Sequence, residues 1–445
     1  MNFKENINLT LKDLSPVLEH TSKKEKIWMA FLGVIILWGC YALYIQITQG
    51  HIVTGMRDNV VWGIFIVNFI FLIGIGYSGS VIAALLYLFK MKWRFPIIRI
   101  AMLMTLFATI TGPLFILLCI GRLDRLHHLF LYARLQSPIT WDVIAVITYL
   151  VGSLIFLYVA LIRDFAVYGQ SKDLKVSDGR KKWYKRLSFG FKNLPSQEKH
   201  LKISRDIIAI MIIPIAIMVS SILSWIFGMT LRPGWHSTIF GPYFVLAAIY
   251  SGLGVIVILM YILRKIYSLE KYIKKEHFIY MGYGIMIFGA GYGYFTFSEY
   301  FTDWYTSKAW EAELIHKLFS WDHYGYWTLF ANLGGILLPL LIIGIPKLRT
   351  IGSITLVSLI MVVAMWIKRY LIVIPTLENT LIPMQDLREE YVHYSATWVE
   401  WVLVAAGFAL FGLLFTLAIK FVTIIPVWQT ALMNTEEQNK NIEKS

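Results

Sequence analysis

Apolar runs of about 20 residues alternate with short polar stretches along almost the whole chain. A helical run of that length crosses the hydrocarbon of a bilayer. Ten such runs are present, over 27–48, 59–89, 96–120, 141–163, 205–228, 240–264, 277–301, 325–345, 351–375 and 397–425. Only helices fit, because barrel strands are shorter and alternate apolar with polar positions. The expected fold class is an all-α polytopic membrane protein with ten transmembrane helices. An N-terminal segment 1–26 and a C-terminal tail 426–445 flank the membrane domain 27–425. Residues 1–26 are polar and charged, so no cleavable signal peptide is expected.

Within this pattern one motif recurs. Span 2 holds Tyr77-Ser78-Gly79 ahead of an apolar run, and span 6 holds Tyr250-Ser251-Gly252 ahead of another. Both spans run in the same direction across the membrane, so the repeat is parallel. It predicts two four-helix bundles, spans 2–5 and 6–9, with spans 1 and 10 outside them. Gly74, Gly76 and Gly79 predict close helix packing on span 2. Pro113, Pro214 and Pro339 predict kinks.

Composition sharpens the class. Of 445 residues 58% are hydrophobic and 15% charged, with a mean hydropathy of +0.63. The net charge of +14 does not indicate nucleic acid here, because it follows the positive-inside rule. Most Lys and Arg lie in the N-terminal segment, the C-terminal tail and the loops after spans 2, 4, 6 and 8, with Lys181, Lys182, Lys185 and Arg186 in one loop. That bias predicts a multi-pass protein of the bacterial inner membrane with both termini in the cytoplasm. Two cysteines, Cys40 and Cys119, are too few for an iron–sulfur cluster. None of the ten histidines lies mid-span, so haem ligation within the bilayer is not expected, and no ligand spacing supports a metal.

Candidate chemistry gathers at the outer ends of the spans. The connection Gly121–Asp142 carries Arg122, Arg125, Arg134, His127 and His128, and Asp142 stands just inside span 4. A carboxylate at the mouth of a membrane helix is costly and marks a functional candidate. Trp235 and His236 precede span 6, Glu299 ends span 7, Lys368 and Arg369 lie near the end of span 9, and Glu400 starts span 10. An Asp or His at this depth, beside an apolar slot, suits removal of hydroxyl protons from a lipid-soluble carrier such as a quinol. The same residues also suit interfacial anchoring and interhelical ion pairs. On the inner side Asp164 follows Arg163, and a local ion pair between them is expected. The outer connection Thr302–Tyr324, rich in Trp and Tyr, reads as an aromatic belt or as a docking surface for an extrinsic partner.

These residues resemble the NrfD/PsrC family of quinone-interacting membrane subunits, and within it the C subunits of alternative complex III. The resemblance covers nearly all spans. It rests on Trp62-Gly63 with Asn68-Phe69 and Gly74-Ile75-Gly76, on Gly121-Arg122, on Ser137-Pro138 with Trp141-Asp142, on Pro233-Gly234-Trp235-His236-Ser237-Thr238-Ile239-Phe240, on Tyr294-Phe295-Thr296, on Met365-Trp366 with Arg369, and on Thr397-Trp398-Val399-Glu400. It implies a subunit without its own redox cofactor that binds quinol, menaquinol first, near the periplasmic face. The implied partners are a periplasmic iron–sulfur subunit, a homologous membrane subunit, cytochrome c-type subunits and a terminal oxidase, with clusters and haems held by those partners. Asp142 and His236 would be catalytic, and Arg122, Trp141, Trp235, Cys119 and Ile226 would border the quinol. Tyr77, Asp164, Glu299, Arg369 and Glu400 would mark a proton route. Three positions depart from the family pattern: Cys119 and Tyr77 stand where His is common, and Ile226 where Asp is common. The alternatives are an anchoring or proton-translocating paralogue without a working quinol site.

Overall fold

Span 2 is the most uniformly apolar run, and a helix apolar all round must be buried all round. In the structure, a computed structural model describing residues 3–230, 232–379 and 393–442, it forms the central helix α3 (Gly63–Leu88), buried along nearly its whole length. The other elements are α1 (Phe3–Glu19), α2 (Lys23–Gln49), α4 (Phe95–Cys119), the single turn α5 (His128–Leu131), α6 (Pro138–Gln170), α7 (Asp178–Leu187), α8 (Pro195–Gly228) and α9 (Phe240–Ile266). Then come α10 (Lys275–Thr306), α11 (Ala309–Phe319), α12 (Gly325–Gly344), α13 (Ile351–Glu378), α14 (Trp398–Phe421) and α15 (Val427–Ile442). Residues 1–2 and 443–445 of the terminal segments, and 380–392 ahead of span 10, lie outside the described residues.

Among the described residues, nine helices are long and apolar enough to cross a membrane. The expected seventh span is α10, a helix of 32 residues. Its Gly-, Tyr- and Thr-rich sequence makes it less apolar than the rest, so it falls outside that nine. Helix contacts link α3, α4, α6 and α8 with one another and α9, α10, α12 and α13 with one another, and the α3–α9 and α8–α9 crossings join the two sets. α2 and α14 pair with each other outside them, on α4. The two Tyr-Ser-Gly motifs meet where α3 crosses α9: a Cβ on Gly252 would run into the Ser78 hydroxyl. On the other side of α3, a Cβ on Gly79 would lie 2.5 Å from the Ala101 carbonyl oxygen of α4. Small residues thus allow α3 to touch both neighbours at backbone distance.

Pro339 acts as expected of a helix-interior proline. It has no N–H to give the carbonyl of residue 335, four positions earlier. The helix widens into a π turn at Leu333–Leu337, and the Tyr250 hydroxyl donates to the Gly335 carbonyl at 2.8 Å.

The terminal segments are helical and dock together. Phe3 packs edge-on to Trp428 at 5.0 Å, and the Asn6 amide donates to Thr435 at 2.8 Å. Ser22 caps α2 in a reciprocal box with Glu25. Both described ends of the chain therefore lie at one end of the bundles, the proximal end, and Gly121–Asp142 lies at the distal end.

The expected Arg163–Asp164 pair does not form. Consecutive helical residues point about 100° apart, so Arg163 faces α8 and pairs with Glu198, while Asp164 faces α4. Asp164 receives Arg99 at 2.5 Å and the Trp428 backbone N–H at 2.9 Å. Arg99 also donates to the Thr423 carbonyl at 3.0 Å. This buried pair ties α4, α6 and α15 together.

Candidate functional site

α6 begins at Ser137-Pro138, and proline at the first helical position is preorganised for the helix. This start sets Asp142 one turn inside. Its side chain turns inward with Ala145, Tyr149 and Ser153, on the face that meets α4 and from which Tyr149 reaches α3. Asp142 is 6% exposed. Its Oδ1 is shut from solvent and has no hydrogen-bond partner among the described residues. A buried carboxyl without a donor is costly, so a guest hydroxyl at this position would be held.

A cavity of about 510 Å³ opens beside it. Trp62, Phe69, Cys119, Ile226 and Phe227 form its apolar walls, and Arg122, His128 and Tyr132 sit among its lining residues. Four sequence candidates, Asp142, Cys119, Ile226 and Arg122, are thus brought together from α6, α4, α8 and the connection. The Cys119 thiol is directed to the carbonyls of Phe115 and Trp62 at 3.3 and 3.6 Å. Gly121 takes φ of +73°, a conformation open to glycine, and a Cβ there would run into the His51 ring.

Arg122 is exposed at the rim and forks onto Asp124, with contacts of 2.9 and 2.7 Å. The guanidinium holds the Asp124 carboxyl down at about 2. Arg122 is therefore engaged by its own loop.

Trp141, Trp235 and His236 lie off the lining. The Trp141 indole donates to the Leu135 carbonyl at 2.5 Å and fastens the connection over the start of α6. In the Pro233-Gly234-Trp235-His236 turn, Gly234 adopts φ of +76° against Leu314. The turn drops Trp235 into the core, where its indole donates to Ile372 at 2.6 Å. Trp235 stacks on Trp62 at 6.3 Å and meets Phe227 edge-on at 4.8 Å, so it backs the cavity wall. His236 is left on the exposed side of the turn.

The expected proton-route residues separate into distinct settings. Tyr77 is buried, packs edge-on to Tyr149 at 4.7 Å and lies within electrostatic reach of Asp142. Its hydroxyl has no partner among the described residues. Tyr149 bonds Ser80 and the Gly76 and Tyr77 carbonyls, the latter two at 3.1 Å. Across the α3–α9 crossing, Arg369 donates to Met365 O at 2.7 Å and Ser251 Oγ at 2.9 Å, facing Gly74. A narrow slit lined by Tyr77, Tyr243, Tyr292, Lys368 and Arg369 joins the two helix groups. Glu299 pairs with Lys368 at 3.7 Å.

Glu400 is used structurally. Its oxygens accept from Gly55 N, Thr397 N and the Tyr394 hydroxyl at 2.7, 2.9 and 2.6 Å, which fastens the loop before α3 to the start of α14. Asp164 is held by Arg99, as above.

His128 and Tyr132 are not legible in the sequence as cavity residues. They meet edge-on at 5.0 Å across the α5 turn. Their spacing of four, in a connection too short to suggest a helix, is the available signal. No three His, Cys, Asp or Glu side chains gather as metal ligands among the described residues.

The family described as polysulphide reductase, NrfD, matches residues 52–379 of the chain. Over 247 residues the chain is 28% identical to the inferred membrane-bound C component of the dimethyl sulfoxide reductase of Halobacterium salinarum, covering 55% of this chain and 53% of that protein. Over 237 residues it is 25% identical to the C component of the selenate reductase of Mesobacillus selenatarsenatis, covering 51% and 54%. Against both, the matched region spans about half of the relative's length. The Hdr-like menaquinol oxidoreductase integral membrane subunit of Archaeoglobus fulgidus is 23% identical over 410 residues, covering 89% of this chain and 92% of that protein.

Proposed function

The chain belongs to the NrfD family of multi-pass membrane subunits, and on that footing we propose that it binds quinol at the Asp142 cavity within a respiratory oxidoreductase complex. The observation that carries this reading is Asp142: a buried carboxyl with an unpartnered oxygen, beside an apolar cavity large enough for a ring and the start of its tail. Oxidising a quinol releases two protons and two electrons. Asp142 accepts the two hydroxyl protons in turn and passes each to water at the distal end. The electrons leave to an iron–sulfur cluster in an extrinsic partner subunit. Arg122 and Arg125 border the exit. Menaquinol is the first candidate, in keeping with the name of the Archaeoglobus relative. The Lys/Arg bias supports a periplasmic distal end, in a bacterial inner membrane. A complex like alternative complex III, with a homologous membrane subunit and cytochrome c-type subunits, fits this placement.

A second reading, proton translocation without quinol turnover, draws on the buried Tyr77–Tyr149–Ser80 string that runs inward from Asp142.

Ile226→Trp tests occupancy. An indole from α8 would fill part of the cavity, and overpacking of this kind costs about 1–3 kcal/mol. The complex should assemble and bind a quinol-site inhibitor at least about tenfold more weakly. Unchanged inhibitor affinity would place the quinol elsewhere.

A further inference from the structure

A second and larger cavity, of about 950 Å³, opens at the distal end of the other helix group, between α10, α11 and α12. Its position follows the internal repeat. With Tyr250 set on Tyr77, α10 takes the place of α4, the connection through α11 that of Gly121–Ser137, and α12 that of α6. The Asp142 cavity is lined by α4, its connection and α6, with further walls from α3 and α8. The second cavity is lined by the counterparts of the first three.

Its walls suit a flat ring. Phe297, Phe301 and Trp304 form a ladder on α10, with Phe297 stacked on Phe301 at 5.5 Å and Phe301 near Trp304 at 6.2 Å. Phe319 and Trp321 face them across the cavity. Aromatic side chains present broad apolar faces that favour offset or edge contacts with another ring. The π turn contributes Leu333, Ile336 and Leu337 to the lining, and such turns recur at functional sites.

A polar end is built into the same cavity. Tyr300 lines it. The buried Lys368 ammonium donates to the Tyr300 hydroxyl and is paired with Glu299 at 3.7 Å. The Tyr300 oxygen thus acts as acceptor toward Lys368, and its own hydrogen has no acceptor among the described residues. A phenol that accepts from an ammonium is a strengthened donor. What it lacks is a carbonyl oxygen. A guest reaching it between two membrane-spanning helices arrives through lipid and carries an apolar tail.

We propose that this cavity is a second binding site, for the oxidised ring of an isoprenoid quinone whose carbonyl accepts from Tyr300. The proposal rests on the quinone-linked reading above. It gives the protein one site at each of two repeat-related positions, with Lys368 facing both the Tyr300 network and the slit that reaches Tyr77.

The test is photoaffinity labelling of the intact native complex with an azido-menaquinone, with labelled peptides mapped by mass spectrometry. Label within 293–337 that is displaced by unlabelled menaquinone and not by phospholipid is the expected result. Label confined to the Asp142 cavity would overturn the second site and leave the first reading standing. Label at neither would overturn both. Label within 293–337 displaced equally by phospholipid would show a general lipid site and overturn the proposal. Tyr300→Phe keeps the ring and removes the donor, and it should weaken labelling of 293–337 about fivefold, the value of one hydrogen bond. Labelling at the Asp142 cavity serves as the internal control for folding. Undiminished labelling of 293–337 in that variant would refute the assigned carbonyl contact.

Discussion

Asp142 and Asp164 sit on the same helix and do different work because of what faces them. Asp164 meets a guanidinium and a backbone N–H, and Asp142 meets neither. Removing one partner from a buried pair leaves a charge uncompensated, which costs about 3–5 kcal/mol. Asp164→Ala should therefore lower the melting temperature and yield of the solubilised protein by a wide margin. Asp142→Ala should not, and thermal unfolding of the two variants compares them directly. At the rim, Asp124 is held down at about 2 by Arg122. Its folded value lies below its ordinary one, so the pair is intact above the usual carboxylate range and is lost only as pH falls toward about 2. A change in quinol oxidation between about pH 5 and 8 therefore belongs to another group, and Asp124→Asn should leave the pH profile in that window unmoved. At this scale the sequence marks Asp142 because a carboxylate stands out against apolar neighbours. It cannot show that His236 falls on the exposed side of its turn, because that depends on the left-handed Gly234 and on Leu314 packed against it.

Among elements, apolar run length locates the spans to within a few residues at most ends, and α10 is less apolar than expected because it is built from Gly, Tyr and Thr. The glycines of α3 are legible as packing positions. Their partners are not, since nothing in a linear pattern says that Gly252 faces Ser78. Gly79→Val would push a branched side chain into the Ala101 carbonyl, and overpacking costs about 1–3 kcal/mol. The variant should assemble in reduced amount, measured as intact complex per unit membrane. The two terminal helices escape a reading of apolar runs because each is amphipathic and short, and they become stable by packing on each other. Pro339 is visible as a kink. Its consequence, a carbonyl served by Tyr250, needs the fold. Tyr250→Phe should cost about 1 kcal/mol, read as a lowered melting temperature.

For the whole molecule, the repeated motif points to two groups of four helices, and the helices of those groups touch one another while α3 and α8 also pack on α9 across them. The sequence places most of its candidate residues at one end of the bundles, and four of them line one cavity there. The size of that cavity and the existence of the second are invisible in the sequence, because empty volume is a property of packing and not of composition. The Lys/Arg bias predicts cytoplasmic termini; a C-terminal reporter active only in the periplasm would reverse the assignment. The distal end should carry the extrinsic partner, so crosslinks from the Gly121–Asp142 connection should reach an iron–sulfur protein, and crosslinks to it only from the loop between α6 and α8 would refute that arrangement. The central claim is that Asp142 takes the proton of a bound quinol. Steady-state quinol oxidation by the intact complex carrying Asp142→Asn tests it most directly, because the amide keeps the size and removes the base. The predicted result is normal assembly with turnover at least about tenfold slower, at the modest end of general-base effects. Normal assembly with wild-type turnover would contradict it.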